Sequence, residues 1–379
     1  MRISTNLDKK QNIAMIGHKR MPSREGGVEI VVEELSTRMA NLGHKVTCYN
    51  RGGHHVSGNQ YDEKSLDEYK GVKIKTVWTV DKKGLAAVSS SVFASIAVAF
   101  GKYDVVHYHA EGPCLLCGLP KLFGKRIIVT IHGLDHKRAK WGKFAAWYIM
   151  CGEKAAVKHA DEIIVLSESV QKYFMDTYGR KTIFIPNGVA RMEKKSAKEI
   201  TEKWNLSNNS YILFLGRIVP EKGVHYLIEA YKKIKTNKKL VIAGGASDAS
   251  EYAQKIEDMT KDNDNIVMTG FVKGNVLEEL YSNAYVYCLP SDLEGMPLSL
   301  LEAMSYGNAC LTSDIPECAD VISNHGVTFN AGNINNLAEK LSEMCDNTEL
   351  VNTLKLEAAD YITNKYNWDD VVERTLQLY

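Results

Sequence analysis

The chain has 379 residues, 45% of them hydrophobic and 25% charged, which is more than one compact core usually takes and enough apolar material for two. Its 47 basic and 46 acidic residues leave a formal net charge of +1, so the overall basic footprint of a nucleic-acid binder is missing and any charged partner has to be met locally. Met1 to Lys10 is polar and the first apolar run has a strand's length, so no secretory signal is read and a cytoplasmic protein is expected.

Taken in chain order, the first half alternates short β-branched runs with longer helical patterns. The runs are Asn12 to Gly17, Lys45 to Asn50, Val72 to Trp78, Asp104 to His109, Arg126 to His132 and Glu162 to Leu166. The uncharged stretch Leu85 to Phe100 carries Ser89, Ser90, Ser91 and Ser95 and falls short of the roughly 20 residues that span a bilayer, so it is expected to be a buried helix. After the turn signal Ile185-Pro186-Asn187-Gly188 and the charged stretch Arg191 to Lys203, the rhythm returns at Tyr211 to Leu215, Leu240 to Ala243, Ile266 to Thr269 and Tyr285 to Leu289. This pattern predicts two α/β domains, each a doubly wound parallel sheet, with a boundary near Val189. Eight scattered cysteines, among them Cys48 and Cys288 inside strand-like runs, are expected to pack as small hydrophobes without a disulfide framework.

Ligands of open parallel sheets sit beyond the carboxyl ends of the strands, and the informative residues follow strands here. After the first strand come Gly26 and Gly27 and a helical pattern, Val28 to Leu42; paired glycines let backbone N–H groups approach a ligand, and a helix start favours an anion. Arg217 and Lys222 follow the Tyr211 to Leu215 strand, two cations able to stabilise the charge that grows on a departing diphosphate. The richest segment runs from Leu289 to Met304. Pro297 suits a first helical turn, so Glu294 falls on the preceding loop and Glu302 just over one turn inside the helix. Carboxylates accept hydrogen bonds from sugar hydroxyls, while the N–H groups of Gly295, Met296, Pro297's neighbours Leu298 and Ser299 are placed to meet phosphate. Each pattern by itself also fits a turn or a solvated charge.

Together, Gly26-Gly27, His132-Gly133, Pro186-Asn187-Gly188, Gly216-Arg217 with Glu221-Lys222-Gly223, and the Glu294 to Glu302 segment resemble the retaining glycosyltransferases of family 4, over nearly the full length. The resemblance implies a GT-B fold of two Rossmann-like domains facing across a cleft: residues 1–189 for the acceptor, 190–362 for the donor, and 363–379 as a C-terminal helix returning to the first domain. It implies a nucleotide diphosphate sugar as donor substrate, with Arg217 and Lys222 on the diphosphate, Glu294 on the transferred sugar, Glu302 on the ribose, the Gly26-Gly27 loop at the phosphates and the Phe271-Val272 backbone near the base. His132 matches the family histidine that approaches the donor sugar, and Gly295 to Ser299 complete the donor set. The acceptor is expected near His18 to Glu29 and His132 to Arg138. The implied reaction, hexosyl transfer to a glycan or lipid-linked acceptor in surface polysaccharide assembly, needs no cofactor, metal or enzyme nucleophile. A nucleotide-sugar epimerase and a non-catalytic nucleotide-sugar-binding protein are the alternatives on the same architecture.

Other patterns are set aside. His109, Glu111, Cys114 and Cys117 spell a zinc deaminase signature, but one glycine separates parts that need separate helices. Asp262-Asn263-Asp264 precedes a strand and reads as a turn. From Lys137 to Lys158, basic residues mix with Trp141, Phe144, Trp147 and Tyr148, which fits either a peripheral contact with anionic membrane or a surface helix with its aromatics turned inward.

Overall fold

Runs such as Ile13 to Ile16, Ile127 to Ile131 and Leu240 to Ala243 are buried on both strand faces, and a continuous apolar strand is satisfied only in a sheet covered on both sides. The computed structural model describes residues 9–54, 66–80, 82, 84–137, 142–245 and 250–379, and the chain divides after Asn187 and again after Asn367 into two units, the last residues rejoining the first.

The first unit runs β1 (Asn12–Ile16), α1 (Gly27–Asn41), β2 (Lys45–Arg51), β3 (Glu68–Tyr69), β4 (Val72–Val77), α2 (Leu85–Phe100), β5 (Val105–His109), α3 (Gly118–Leu122), β6 (Arg126–Ile131), α4 (Lys143–His159), β7 (Glu162–Val165), α5 (Glu168–Tyr178) and β8 (Ile183–Phe184). Short 3-10 turns, Gly112–Leu116 and Asp135–Lys137, follow β5 and β6. The eight strands lie in the order β3-β4-β2-β1-β5-β6-β7-β8, parallel throughout except for β3. Strand order reverses at β1, so the crevice beyond β1 and β5 is the natural ligand position of this sheet. A last helix, α14 (Trp368–Leu376), packs here. Arg38 pairs with Asp369 (3.1 Å) and the Tyr379 hydroxyl lies 2.6 Å from His107 Nδ1, so the chain's end is tied into the sheet.

The second unit runs α6 (Glu199–Trp204), β9 (Tyr211–Leu215), α7 (Val224–Tyr231), β10 (Lys239–Ala243), α8 (Ser250–Thr260), β11 (Ile266–Gly270), α9 (Gly274–Asn283), β12 (Val286–Leu289), α10 (Leu298–Ser305), β13 (Ala309–Ser313), α11 (Pro316–Ile322), β14 (Val327–Phe329), α12 (Ile334–Asp346) and α13 (Thr348–Lys365). Its six parallel strands are ordered β11-β10-β9-β12-β13-β14, which puts the reversal at β9 and β12.

The expected buried helix, α2, corrects that reading. It turns Ser90, Ser91, Ala94, Ser95 and Val98 inward and leaves Phe93, Ile96 and Phe100 exposed. The buried Tyr108 hydroxyl needs a partner, and Ser95 Oγ supplies it at 3.0 Å. In α4 the doubt about phase resolves: Phe144 and Trp147 are exposed, while Ile149, Gly152, Glu153 and Ala156 face the core. Arg138, Lys140 and Trp141 lie outside the described residues. Cys48 and Cys288 are buried in β2 and β12, and Asp262-Asn263-Asp264 forms the turn before β11.

Candidate functional site

Among the sequence-predicted residues of the second unit, Arg217 and Lys222 follow β9 and the Glu294 to Glu302 segment follows β12, and the structure brings Lys222 and Glu294 together. Lys222 closes the short turn Pro220–Lys222, and Gly223 follows in the left-handed region at φ +66°. A Cβ at Gly223 would stand 1.9 Å from the Pro290 carbonyl oxygen, so only glycine lets the two loops meet. Asp292 N donates to the Glu221 carbonyl (2.9 Å), lacing the loops from the other side. Lys222 Nζ is thereby set 2.5 Å from Glu294 Oε1, which also accepts from Ser291 Oγ at 2.7 Å. The side chains of this pair are 13% and 8% exposed, so the charges are held in a largely dry place where each needs the other.

Arg217 directly follows Gly216 at the end of β9 and is partly buried, as are Met296, Ser299 and Glu302. Gly295 and Leu298 are buried, and α10 starts at Leu298 with Pro297 as its N-cap, one residue later than the sequence suggested. Two buried tyrosines behind α10 fix its face. The Tyr281 hydroxyl lies 3.2 Å from Glu302 Oε2, and the Tyr287 hydroxyl donates to the Leu215 carbonyl (3.2 Å) and lies 2.9 Å from Ser299 Oγ. Val272 follows β11 and is partly buried. At the end of β10, Gly244 comes so close to the Gly216 carbonyl oxygen that a Cβ would stand 1.8 Å away.

Gly26, Gly27 and His132 belong to the first unit. Gly26 is the extended N-cap of α1 (φ −173°), Gly27 is exposed, and the buried Glu29 accepts from Lys19 N at 2.9 Å, folding the loop after β1 onto the helix start. His18 Nε2 lies 2.9 Å from Asn50 Oδ1. Burial pushes His18 down to about 4, with Glu29 opposing. His132, just past β6, has its Nε2 3.0 Å from His109 Nδ1. His109 is fully buried, and burial, then the neighbouring His107 and His132, hold it well below the usual histidine range. It is therefore neutral, and one of the two facing nitrogens donates while the other accepts. A Cβ at Gly17 would stand 2.1 Å from the His109 carbonyl oxygen, which brings the ends of β1 and β5 together beside this pair.

His109, Ser291, Tyr281 and Tyr287 escaped the sequence reading as site residues. The available signal for His109 was its alternation with His107 at the end of an apolar strand, which places both on one sheet face. The deaminase-like letters do not assemble: Cys114 Sγ donates to the Ala110 carbonyl (3.2 Å) and Cys117 Sγ to that of Ala155 (3.5 Å).

Two family profiles match the chain: Glycosyltransferase Family 4 over residues 25–191 and Glycosyl transferases group 1 over residues 196–361. An uncharacterized glycosyltransferase of Methanocaldococcus jannaschii is 25% identical over 399 residues, covering 97% of each chain. An N,N'-diacetylbacillosaminyl-diphospho-undecaprenol alpha-1,3-N-acetylgalactosaminyltransferase of Campylobacter jejuni is 29% identical over 240 residues, 60% of this chain and 62% of that protein. Among solved structures, HepE of Anabaena in complex with UDP and glucose aligns with a TM-score of 0.79 at 14% identity, over 96% of this chain and 98% of the other. With matched profiles over both units and the doubly wound pair of sheets, the chain belongs to the family 4 glycosyltransferases and has the GT-B fold.

Proposed function

We propose that this enzyme transfers a hexose-type sugar from a nucleotide diphosphate donor to a glycan or lipid-linked acceptor in polysaccharide or glycan assembly, with retention at the anomeric carbon. The observation that carries the reading is the Lys222–Glu294 pair, held nearly dry at the joined ends of β9 and β12 by Gly223 and Ser291. In this reading residues 190–362 take the donor and residues 1–189 the acceptor. Arg217 and Lys222 bind the diphosphate, Glu294 the hydroxyls of the sugar, Glu302 the ribose, the Val272 backbone the base, and the N–H groups of Gly295, Met296, Leu298 and Ser299 the phosphate; the Gly26-Gly27 loop adds phosphate contacts.

As the bond from the anomeric carbon to the phosphate oxygen breaks, its electron pair stays on that oxygen. The acceptor hydroxyl oxygen bonds to the same face of the carbon, and its proton passes to the leaving phosphate. Fixed cations favour this charge-separated state over the ground state. Lys222 has three N–H donors, so it can hold Glu294 and a phosphate oxygen together, which keeps the carboxylate aimed at the sugar. His132 serves the transferred sugar, oriented by its bond to His109.

Among the described residues no helix is long and apolar enough to cross a membrane. A surface for peripheral contact is supported by the aromatic side chains of α2, α3 and α4: Phe100 and Phe123 touch edge to face at 4.8 Å, and Phe144 and Trp147 stand together at 5.8 Å. Lys121, Lys125 and Lys143 lie within a few residues of Phe123 and Phe144 in the chain, a mixture suited to anionic lipid. The test of the function is incubation with UDP-, GDP-, dTDP- and ADP-sugars and a polyprenyl-diphosphate-linked glycan, with the product's anomeric configuration read by NMR. Transfer with the donor's configuration kept is expected. Transfer with inversion would refute the stereochemistry, and interconversion of donors without an acceptor would replace the reading with the epimerase.

A further inference from the structure

We propose that the first unit holds one divalent first-row transition ion, of the zinc or manganese type, between Glu111, His136 and Glu153. These residues come from three separate segments: the loop after β5, the 3-10 turn after β6, and the buried face of α4. One ligand atom from each lies within 4.8 Å of the others. Gly152 makes the approach possible, because a Cβ there would stand 2.1 Å from the Glu111 carbonyl oxygen. A mid-helix glycine is otherwise unfavourable.

The second observation is how each carboxylate divides its oxygens. Glu153 and Glu111 are both 0% exposed. Glu153 Oε1 accepts from the Tyr173 hydroxyl (2.9 Å) and the Tyr178 hydroxyl (2.5 Å), and Glu111 Oε1 accepts from Asp135 N (3.1 Å). Among the described residues, both Oε2 atoms and His136 Nδ1 are buried without a hydrogen-bond partner. Nδ1 stands 3.3 Å from Glu153 Oε2 yet makes no hydrogen bond to it; that separation suits two ligands of one ion with bonds of about 2.0–2.2 Å. Carboxylates oriented by outer hydrogen bonds on one oxygen, with the other aimed at a shared point, are how ligating groups are held. Two carboxylates and a neutral imidazole also neutralise a divalent charge, which a site this dry requires. Nitrogen with carboxylate oxygen favours zinc or manganese over calcium or magnesium. The fourth position is left to water. The ion ties together the loops that carry His109 and His132, since Glu111 follows the first closely and His136 the second, so its role is to position them.

The experiment uses the full chain, purified without a histidine tag, stripped by chelator, dialysed against Zn2+ or Mn2+ and desalted. Metal is counted by mass spectrometry, and X-ray absorption reads the ligands. One ion per chain is expected, with a nitrogen and oxygen shell at about 2.0–2.2 Å, together with a rise in melting temperature on loading. His136→Ala and Glu111→Gln should lower affinity at least about tenfold and Tyr173→Phe about 10–100-fold, while the surface change His325→Ala, in the second unit, leaves it unchanged. Retention of under about a tenth of an ion per chain by the parent, or undiminished retention by both His136→Ala and Glu111→Gln, overturns the proposal. The parent's stoichiometry and absorption spectrum decide the matter even where a glutamate variant folds poorly.

Discussion

Replacing Lys222 with methionine removes one charge and strands the other. Among the described residues, Glu294 then keeps only the Ser291 hydroxyl at 2.7 Å in a setting that leaves its side chain 8% exposed. Removing one partner of a buried pair costs about 3–5 kcal/mol, and the residual access of water to both groups puts Lys222→Met at the lower edge, about 2–3 kcal/mol. For a unit of this size that is a fall of about 4–12 °C in melting temperature. The double change Lys222→Met with Glu294→Gln removes both charges and lets Ser291 donate to the amide oxygen, so stability should return to within about 1 kcal/mol of the parent. Transfer should stay down by at least about a hundredfold in both variants, because the proposed role of Lys222 on the donor diphosphate is lost either way. Calorimetric melting and a labelled-sugar transfer assay read the two effects separately. A double variant as unstable as the single one, or a single variant as stable as the parent, would show that the pair is not a coupled, dry unit.

Gly223→Ala forces a Cβ to within 1.9 Å of the Pro290 carbonyl oxygen at φ +66°, so denaturant unfolding should show a loss of about 2–4 kcal/mol, with weaker nucleotide binding as the 290 loop moves. His109→Leu removes the partner of His132 Nε2 together with a buried Nε2 that has no partner among the described residues; kcat is expected to fall at least about tenfold with an altered pH profile, while stability changes by less than about 1.5 kcal/mol. His18 is held down to about 4 by burial, so below 6.5 the unfolded chain takes up a proton that the folded one refuses. Stability should therefore fall as pH drops from 6.5 to 4, by about 3 kcal/mol, and His18→Gln should flatten that window in pH-dependent denaturation.

The strands were legible because burial on both faces leaves an unbroken apolar run, as in Tyr211 to Leu215. β13 was missed because Ala309-Cys310-Leu311-Thr312-Ser313 has a single β-branched residue, and β8 and β14 because two and three residues carry no periodicity. α2 misled because mean hydropathy is blind to phase. Its serines turn inward to serve Tyr108 and its own carbonyls, and the phenylalanines are left outside. For the site, strand ends marked where ligands belong, but not which side chains meet. Lys222 and Glu294 are joined across 72 residues by the glycine that lets two loops touch, and His109 meets His132 only through the β5–β6 register, Tyr108 opposite Val129 and His109 opposite Thr130.

The proposed activity requires that the second unit bind a nucleotide diphosphate through Arg217, Lys222 and Glu302. Isothermal titration of the parent, Arg217→Ala and Glu302→Ala with UDP, GDP, dTDP and ADP tests it most directly. One of these is expected to bind the parent at one per chain, and each variant to bind it at least about tenfold more weakly, about 1.4 kcal/mol. Absence of binding by all four, or equal binding by parent and both variants, would contradict it.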